Sequence, residues 1–419
     1  SNKMAKQRPT KRKKAPSPKI QWEEVASKVT KKTEITVSYD FEFDFSPGMS
    51  AARFSLNNGL KIVLMSDRRA PVFTYQTWFK VGSRNEKPGC TGVAHLFEHL
   101  MFKGTSKHGI GEFDREMESR GCETNAATWV DWTYYTAAMS NEGDNFEVLV
   151  DFEVDRMTGL LLDEETFRSE VDVVKNERRL CIDDSPSGAL TQLLYENVFG
   201  EHPYSWPTLG YMEHLQAVTV TELKEFYRTY YAPNNATVVV VGDLNFEEVL
   251  SSLARGYGDI APQPIPTFNP NPVVASHGPS LYRLSLASAT PQMMVGFLGV
   301  AQSDVDFPAL EILTELLVNG ESSRLYRRLV IEEALALDIS GYLAPFSERG
   351  LVEFSIVMRP GVEPEDLLRV FQQELDLLAN DELSCAELEK AKNSLELSWL
   401  MSLKTSEGLA EALGHYESN

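Results

Sequence analysis

The sequence predicts an α+β protein with two similarly organised domains, each an α/β sandwich in which helices pack on a mainly antiparallel sheet. Three observations support this prediction. At 419 residues the chain is too long for one compact core. Residues 261–280 contain six prolines, which is typical of a linker between domains. The strands and helices expected after this linker repeat the outline of those before it.

These observations divide the chain into four parts. Residues 1–19 carry eight Lys and Arg and no acid, a composition that predicts a disordered basic tail. Residues 20–260 are expected to form the first domain, 261–280 the linker, and 281–419 the second domain. Nothing after Asn419 supplies a counterpart to the helix and strand that close the first domain, so we expect the second to be truncated.

Charge and composition restrict the classes of function. The net charge of −21 would become −29 without the eight positive charges of the tail. This argues against nucleic-acid binding by the folded part and favours cationic peptides as ligands. A basic tail could bind nucleic acid, but we expect it to be solvated. The four cysteines show no paired spacing and are predicted to be free thiols.

Location is less constrained by the sequence. No apolar run approaches the ~18–20 residues that span a bilayer, so no membrane span is predicted. The sequence begins at Ser1 and shows no secretory hydrophobic segment. A cytoplasmic location is therefore favoured, with the periplasm as the alternative if a signal peptide has been removed.

Periodicity and turn residues place the elements. In the first half we expect strands at 51–56 and 60–65 around an Asn-Asn-Gly turn, at 72–81, twice within 123–139, and at 236–241, with helices at 113–120, 145–161, 164–180 and 219–231. In the second half we expect strands at 281–286, 293–299 and 351–358, with helices at 307–318, 364–379 and 385–403.

The stretch GVAHLFEHLMFKGT, residues 92–105, contains His95, Glu98 and His99 in the spacing H-x-x-E-H. On a helix the two histidines lie one turn apart on the same face, an arrangement that suits zinc. Glu98 would overhang the same pocket and take a proton from a metal-bound water. The order is that of the inverted zinc-protease motif. Two satisfied core histidines are the alternative, but a chain with only seven His rarely places two in this way.

A third ligand is available on the helix predicted at 164–180. Glu170 and Glu177 lie seven residues apart and therefore share a helix face, beside the apolar Val171 and Val174. Acids on a helix are usually solvated, but the flanking valines indicate that this face is partly buried. We predict Glu177 as the third zinc ligand and Glu170 as an acid that orients a ligand or the general base.

The strand that begins with Asn125, Ala126 and Ala127 lies close in sequence to the metal helix. At a sheet edge its free amides and carbonyls could pair with an extended peptide substrate. An ordinary internal strand is the alternative, and the sequence alone does not separate the two.

Together the motifs resemble those of the M16 (pitrilysin-like) zinc peptidases, in particular the short-chain group that includes the mitochondrial processing peptidase β subunit. The matching segments are GSRNEKPGCTGVAHLFEHLMFKGT at 82–105, NAATWVDWTYY at 125–135, EVDVVKNE at 170–177, HPY at 202–204 and GESSRLYRRL at 320–329. The resemblance implies a LuxS/MPP-like metallohydrolase fold and a zinc endopeptidase that cleaves short or unfolded peptides. It also implies a dimer that encloses the peptide between four such domains.

The resemblance also assigns roles to residues. His95, His99 and Glu177 would bind one zinc ion per chain, and Glu98 would activate the attacking water. Glu170 matches the supporting acid of the family. Asn125 and Ala126, with Ala127 beside them, match the strand that holds the substrate.

The second half lacks the metal motif. When Gly320 is aligned with Gly104, Glu311, Thr314 and Glu315 occupy the three motif positions. We therefore expect no zinc site in this half.

The second half also departs from catalytic members of the family. Those carry an Arg and a Tyr in a pattern like L-R-E-x-x-x-L-A-Y, where this chain has Val330 and Leu337. Such residues would hydrogen-bond the scissile carbonyl, and loss of one such donor typically costs ~10²–10³ in rate. Arg327, Arg328 and Tyr342 lie nearby but are predicted to point elsewhere.

We therefore expect a heterodimer in which a second M16-like chain supplies the Arg/Tyr pair and lacks the zinc motif. Two alternatives stay open: a non-catalytic structural subunit, and a protein that binds peptides without cutting them.

Overall fold

The computed structural model describes residues 20–274, 278–380 and 383–418. The predicted basic tail, residues 1–19, lies outside them. The strands are β1 (Val37–Ser46), β2 (Met49–Leu56), β3 (Lys61–Ser66), β4 (Val72–Phe79), β5 (Glu123–Thr128), β6 (Thr133–Ser140), β7 (Ala236–Gly242), β8 (Gln292–Leu298), β9 (Ala336–Leu343) and β10 (Leu351–Met358). The helices are α1 (Trp22–Thr33), α2 (Val93–Leu100), α3 (Glu112–Ser119), α4 (Asn145–Thr158), α5 (Glu164–Arg178), α6 (Pro186–Phe199), α7 (Met212–Ala217), α8 (Val220–Tyr230), α9 (Phe246–Tyr257), α10 (Phe307–Val318), α11 (Arg324–Tyr326), α12 (Pro364–Asn380), α13 (Cys385–Ser402) and α14 (Ser406–Ser418).

The first half is built on a seven-stranded sheet with the order β1-β2-β3-β7-β4-β6-β5. Only the β3–β7 pairing is parallel. Every residue of the central strand β7 is buried, as expected for a strand that is covered on both faces. The turn between β2 and β3 requires glycine, since Gly59 has φ +89° and a Cβ there would lie 2.8 Å from Asn234.

Helix ends follow local sequence signals. The side chain of Thr219 accepts a hydrogen bond from the Glu222 amide and Glu222 bonds back, which forms the capping box predicted at the start of α8. Asp163 caps α5 in a similar way, because its carboxylate accepts a hydrogen bond from the Thr166 amide. The start of α5, and hence the position of its two acids, is therefore set locally.

The second half contains a three-stranded sheet with the order β8-β10-β9. This is the order of β4-β6-β5 in the first half. The helices also follow in the same succession, since α2, α4, α5 and α6 correspond to α10, α12, α13 and α14. The predicted repeat is therefore visible in the topology.

The two halves exchange helices across the linker. Helix α6 packs on the second sheet, where a Cβ on Gly296 would lie 2.8 Å from the Leu194 side chain. Helix α14 packs on the first sheet, and its Leu409 and Leu413 share a buried cluster with Trp78 and Val239. Each sheet is thus covered partly by a helix from the other half. The domain boundary at 261–280 stays a prediction. Helix α14 follows this boundary in the sequence but packs in the core of the first sheet.

The prediction of a strand at 281–286 is wrong. These residues form no strand, and the side chains of Leu281, Leu284 and Leu286 are exposed. In the first sheet, β7 lies between β3 and β4, but the described part of the second half contains no counterpart to β7. Residues 281–286 therefore have no neighbouring strand to pair with. Conversely, two strands (β1 and β9) and six helices (α1, α6, α7, α9, α11 and α14) form without having been predicted.

Within the described ranges, no helix is both long enough and apolar enough to cross a bilayer.

Candidate metal centre

Helix α2 presents the H-x-x-E-H motif because its other face is committed to the core. Leu96, Phe97 and Leu100 are fully or almost fully buried in the main hydrophobic cluster of the first half. His95, Glu98 and His99 therefore face away from this cluster. A Cβ on Gly92, at the start of the helix, would collide with Leu215, so only glycine allows this close approach.

The amino end of α2 is fixed by a buried acid. The Glu86 Oε1 atom accepts a hydrogen bond from the Ala94 amide at 2.9 Å. Burial raises the pKa of Glu86 to about 8, although hydrogen bonds from the backbone of α2 oppose this shift. Glu86 is a residue that the sequence analysis missed. Its position nine residues before His95, in a loop, gave no helical signal.

Helix α5 brings the third candidate ligand to the two histidines. Phe167, Val171 and Val174 are buried and anchor one side of the helix. The Glu177 Oε2 atom lies 3.7 Å from His95 Nε2 and 3.5 Å from His99 Nε2. The structure therefore brings together all three predicted metal ligands.

These separations fit a shared ion better than direct hydrogen bonds. They exceed the usual N–H···O range of 2.7–3.2 Å. Two ligands that each bind zinc at about 2.1 Å in a tetrahedron lie about 3.4 Å apart. The three candidate ligand atoms all lie within 4.8 Å of one another. Burial and the nearby His99 lower the pKa of His95 to about 3, so its imidazole is neutral and keeps a lone pair for a metal. The donor set of two imidazoles and one carboxylate fits zinc.

Glu98 lies beside these ligands, with its Oε2 atom 3.9 Å from His95 Nε2. Burial raises the pKa of Glu98 to about 7; hydrogen bonds from Thr128 oppose the shift and the negative charge of Glu177 adds to it. A carboxylate with a pKa near neutrality suits proton transfer at physiological pH, and a bound cation would favour its ionised form.

Glu170 lies behind the ligands. Its Oε2 atom is 3.5 Å from His99 Nδ1, and its Oε1 atom is 2.9 Å from Lys103 Nζ. The carboxylate is buried and faces the ring nitrogen opposite the one nearest Glu177, where it can fix the orientation of the His99 ring. Lys103, four residues after His99, was missed. Its i+4 spacing from the motif could have indicated it.

The predicted substrate strand is the edge strand β5. It pairs with β6, for example with Asn125 opposite Thr136 and Ala126 opposite Tyr135. No strand covers its other edge in the described part of the chain. Ala127 is half-buried and Asn125 is exposed. The strand ends at Thr128, which contacts Glu98.

The second half has no Arg or Tyr at positions 330 and 337. Val330 lies in a π-helical turn and packs against the core of the second half, and Leu337 lies in β9 with 42 % of its surface exposed. Arg327 and Arg328 form ion pairs with Glu332 at 3.2 and 3.6 Å. Both guanidinium groups are therefore already paired within their own turn.

The second half also lacks the metal cluster. Thr314 donates its hydroxyl proton to the Leu310 carbonyl at 2.8 Å, and Glu315 accepts a hydrogen bond from the Asn319 side chain. Among the described residues, His95, His99 and Glu177 form the one cluster of three metal-ligating groups that could hold an ion.

Comparisons with known proteins agree with this arrangement. The family description "Insulinase (Peptidase family M16)" matches residues 61–211, and "Peptidase M16 inactive domain" matches residues 217–395. The zinc protease PqqE of Helicobacter pylori is 31 % identical over 86 % of this chain and 82 % of its own length. A probable β subunit of the mitochondrial-processing peptidase from Arabidopsis thaliana is 25 % identical over 86 % of this chain and 69 % of its own.

Solved structures match over both halves. A protease from Helicobacter pylori superposes with a TM-score of 0.80 and 29 % identity, covering 88 % of this chain and 89 % of the other. An M16 inactive-domain structure from Pseudomonas fluorescens has a TM-score of 0.78 at 19 % identity, over 87 % and 86 % of the two chains. With both halves matched by descriptions of one family, and with a relative 31 % identical over most of its length, the chain belongs to peptidase family M16.

Proposed function

We propose that this chain is the metal-bearing subunit of a zinc endopeptidase that hydrolyses short or unfolded peptides, with one zinc ion per chain. The observation that carries the proposal is the convergence of His95, His99 and Glu177 within 4.8 Å, with Glu98 beside them. The zinc proteases among the relatives support the same class of chemistry.

The roles of the residues follow from their positions. A zinc ion held by His95, His99 and Glu177 would supply Lewis acidity, which would polarise the scissile carbonyl and make water a better nucleophile near neutral pH. Glu98 takes a proton from the attacking water and delivers it to the nitrogen of the leaving amine as the peptide C–N bond breaks. Glu170 holds the His99 ring, and Lys103 balances the charge of Glu170.

Strand β5 is the proposed substrate platform. Its free edge can pair with an extended peptide through the backbone of Asn125, Ala126 and Ala127. The peptide would then run past Thr128 toward Glu98. An extended backbone is available only in short or unfolded chains, which sets the substrate class. The net charge of −21 favours cationic peptides among them.

A partner chain completes the proposed enzyme. Val330 and Leu337 offer no hydrogen bond to a developing oxyanion, and Arg327 and Arg328 are paired with Glu332. We therefore assign the Arg/Tyr pair to a second M16-like chain that lacks the zinc motif. The β subunit of a processing peptidase among the relatives is named as one part of a larger enzyme, which supports this arrangement.

The decisive experiment compares Glu98→Gln with the wild type in complex with such a partner. We expect the variant to keep one zinc ion per chain and to lose cleavage of an unstructured basic peptide. Cleavage by the wild type should disappear when a chelator removes the metal. Glu118→Gln, at an exposed acid on α3, is the matched control and should cleave normally.

Three results would count against the proposal. Wild-type protein that binds no zinc would exclude the metal centre, and wild-type rates in Glu98→Gln would exclude Glu98 as the base. Zinc-loaded wild type that binds peptide but never cuts it, even with the partner, would favour the alternative of a peptide-binding subunit. Val330 and Leu337, which offer no hydrogen bond to a developing oxyanion, are the observation that favours that alternative.

A further inference from the structure

The two edge hairpins of the repeat meet through a buried polar contact that the proposed chemistry does not use. The β5–β6 turn, residues 129–132, belongs to the first half, and the corresponding β9–β10 loop, residues 344–350, belongs to the second. Asp131 lies in the first turn and is 2 % exposed. Its Oδ2 atom accepts a hydrogen bond from the Ser347 amide at 2.8 Å.

Tyr204, from the HPY segment, joins the two turns a second time. Its hydroxyl donates to Asp131 Oδ1 at 2.7 Å and accepts a hydrogen bond from the Glu348 amide at 3.2 Å. His202, two residues earlier, lies 3.2 Å from the Glu348 carboxylate. We call Asp131, Tyr204, Ser347 and Glu348 the turn latch.

An aromatic cluster packs against the buried part of the turn latch. The Phe346 ring contacts Tyr204 and Trp129, with ring centroids 4.5 and 5.0 Å away, and Phe199 belongs to the same cluster, with its ring centroid 5.6 Å from that of Tyr204. Arg84 pairs with Asp131 at 3.0 Å and balances its buried charge. The Tyr204–Asp131 hydrogen bond is buried and the two bonds from the Ser347 and Glu348 amides are partly buried. Breaking one of them leaves a poorly solvated polar group without its partner, so the contact tolerates little displacement.

The β5–β6 turn is also tied to the metal helix. The amides of Ser83 and Arg84 each donate to the turn, at the Trp129 and Val130 carbonyls, both at 3.0 Å. The same loop continues to Glu86, which bonds the first turn of α2. On its other side the turn is joined to β5, whose last residue, Thr128, lies near enough to Glu98 to influence its pKa.

From these contacts we infer that the turn latch fixes the distance between the zinc-bearing half and the edge strand β9 of the second half, and that Asp131 and Tyr204 are positioning residues for peptides that span both. The inference rests on the proposed function. The inference extends the proposed function, because it assigns the second half a role in holding the substrate beyond the cleavage point.

The test uses Tyr204→Phe in the zinc-loaded protein with its partner. This change removes both hydrogen bonds of the hydroxyl and leaves the packed ring in place. Two substrates are compared, one of about six residues and one of about 20, with extended lengths of about 20 and 65 Å. We expect kcat/KM to fall about tenfold for the long peptide and less than about twofold for the short one, because a small misplacement of bound substrate is costly.

Tyr227→Phe is the matched control. The Tyr227 hydroxyl also makes two hydrogen bonds, to the Arg156 carbonyl at 2.7 Å and from the Leu160 amide at 3.3 Å, but all three residues lie in the first half. It should affect both peptides equally. Zinc content should match the wild type in both variants.

A distance measurement gives a readout independent of cleavage. Cys181 and Cys385 are exposed, one in each half, and can carry spin labels once Cys90 and Cys122 are replaced by alanine. Double electron–electron resonance between the two labels should show a broader distance distribution for Tyr204→Phe than for Tyr227→Phe or for the protein that carries only the two cysteine replacements. Glu348→Ala, which removes only the contact with His202, provides a milder variant if Tyr204→Phe does not fold, and should lower the long-peptide rate about threefold.

The outcomes are distinct. A wild type that cleaves neither peptide contradicts the proposed function, and this inference falls with it. If the wild type cleaves both peptides, two results for Tyr204→Phe would contradict the turn latch alone. One is an unchanged distance distribution, and the other is an equal loss of kcat/KM for both peptides.

Discussion

The two halves of this chain share a topology but differ in what their first helices carry. In the first half, α2 and α5 place two imidazoles and a carboxylate around one point. In the second half, α10 and α13 occupy the corresponding places, and Thr314 and Glu315 are used for hydrogen bonds within α10 and to the residue that follows it. The same scaffold therefore carries a candidate metal centre in one half and only hydrogen-bonding and packing groups in the other, as expected when the fold alone does not determine the chemistry.

The largest contrast should come from removing corresponding residues. His99→Ala should reduce zinc to far below one ion per chain and lower cleavage by more than about 10³-fold, because the metal loses a first ligand. Glu315→Ala, at the matching position of α10, should change neither. Zinc analysis by mass spectrometry together with a peptide assay checks both. Substantial zinc retention in His99→Ala would remove this residue from the ligand set.

The second prediction concerns a double substitution that should make this chain more like a peptidase that works without a partner. The double change Val330→Arg and Leu337→Tyr should raise cleavage by the chain in the absence of its partner by about 10²-fold, the scale of an oxyanion donor. Steady-state rates with a chelator control measure the effect. A double variant that folds, binds zinc and gains no activity would mean that these positions do not face the substrate.

A third prediction compares the two exchanged helices. A Cβ on Gly414 of α14 would lie 2.0 Å from the buried Trp78 indole, whereas a Cβ on Gly296 would meet the flexible end of Leu194 on α6 at 2.8 Å. Gly414→Ala should therefore destabilise the protein by about 2–3 kcal/mol and Gly296→Ala by less than about 1 kcal/mol. Denaturant titration measures both, and equal costs would argue against the close packing of α14.

The smallest effect is a pH dependence at α14. His415 packs edge-on to Trp78 and Trp132 and lies 2.9 Å from the Gln302 side chain. Burial lowers the pKa of His415, although the charge of Asp131 opposes the shift. The unfolded chain therefore binds a proton that the folded chain resists, and stability falls as the pH drops below about 6.5.

One pH unit below that point can cost up to about 1.4 kcal/mol from this group. Chemical unfolding at pH 7.5 and 5.5 should show the loss, and His415→Gln should reduce it. An identical pH dependence in the variant would assign the effect to other groups.

The sequence predicted which residues meet at the candidate metal centre more accurately than it predicted the strands of the second sheet. The i, i+4 and i, i+7 spacings on α2 and α5 are local, so the faces that carry His95, His99 and Glu177 could be read directly. Their meeting depends on the packing of two helices, which the flanking valines of α5 already indicated. The roles assigned to these residues stay predictions, although the geometry accommodates them.

Residues 281–286 show why the rest could not be read in the same way. Their alternation is typical of a strand, but a strand also needs a neighbour, and neighbours are set by contacts distant in sequence. Asp131 was missed for the same reason, because its partners Tyr204 and Ser347 lie far along the chain. Glu86 was missed although its partner Ala94 is only eight residues away, because a single acid in a loop gives no periodic signal.

The exchange of α6 and α14 has a consequence for how the molecule forms. Leu409 and Leu413 of α14 complete a cluster with Ala51 and Val63, which are made some 350 residues earlier, so this face of the first sheet stays uncovered until α14 has been synthesised. Until then Trp78 and its neighbours form an uncovered apolar surface, the kind of surface that recruits chaperones or aggregates. The chain therefore should reach its native state only after its two halves have both emerged, as one cooperative unit rather than as two folding in turn.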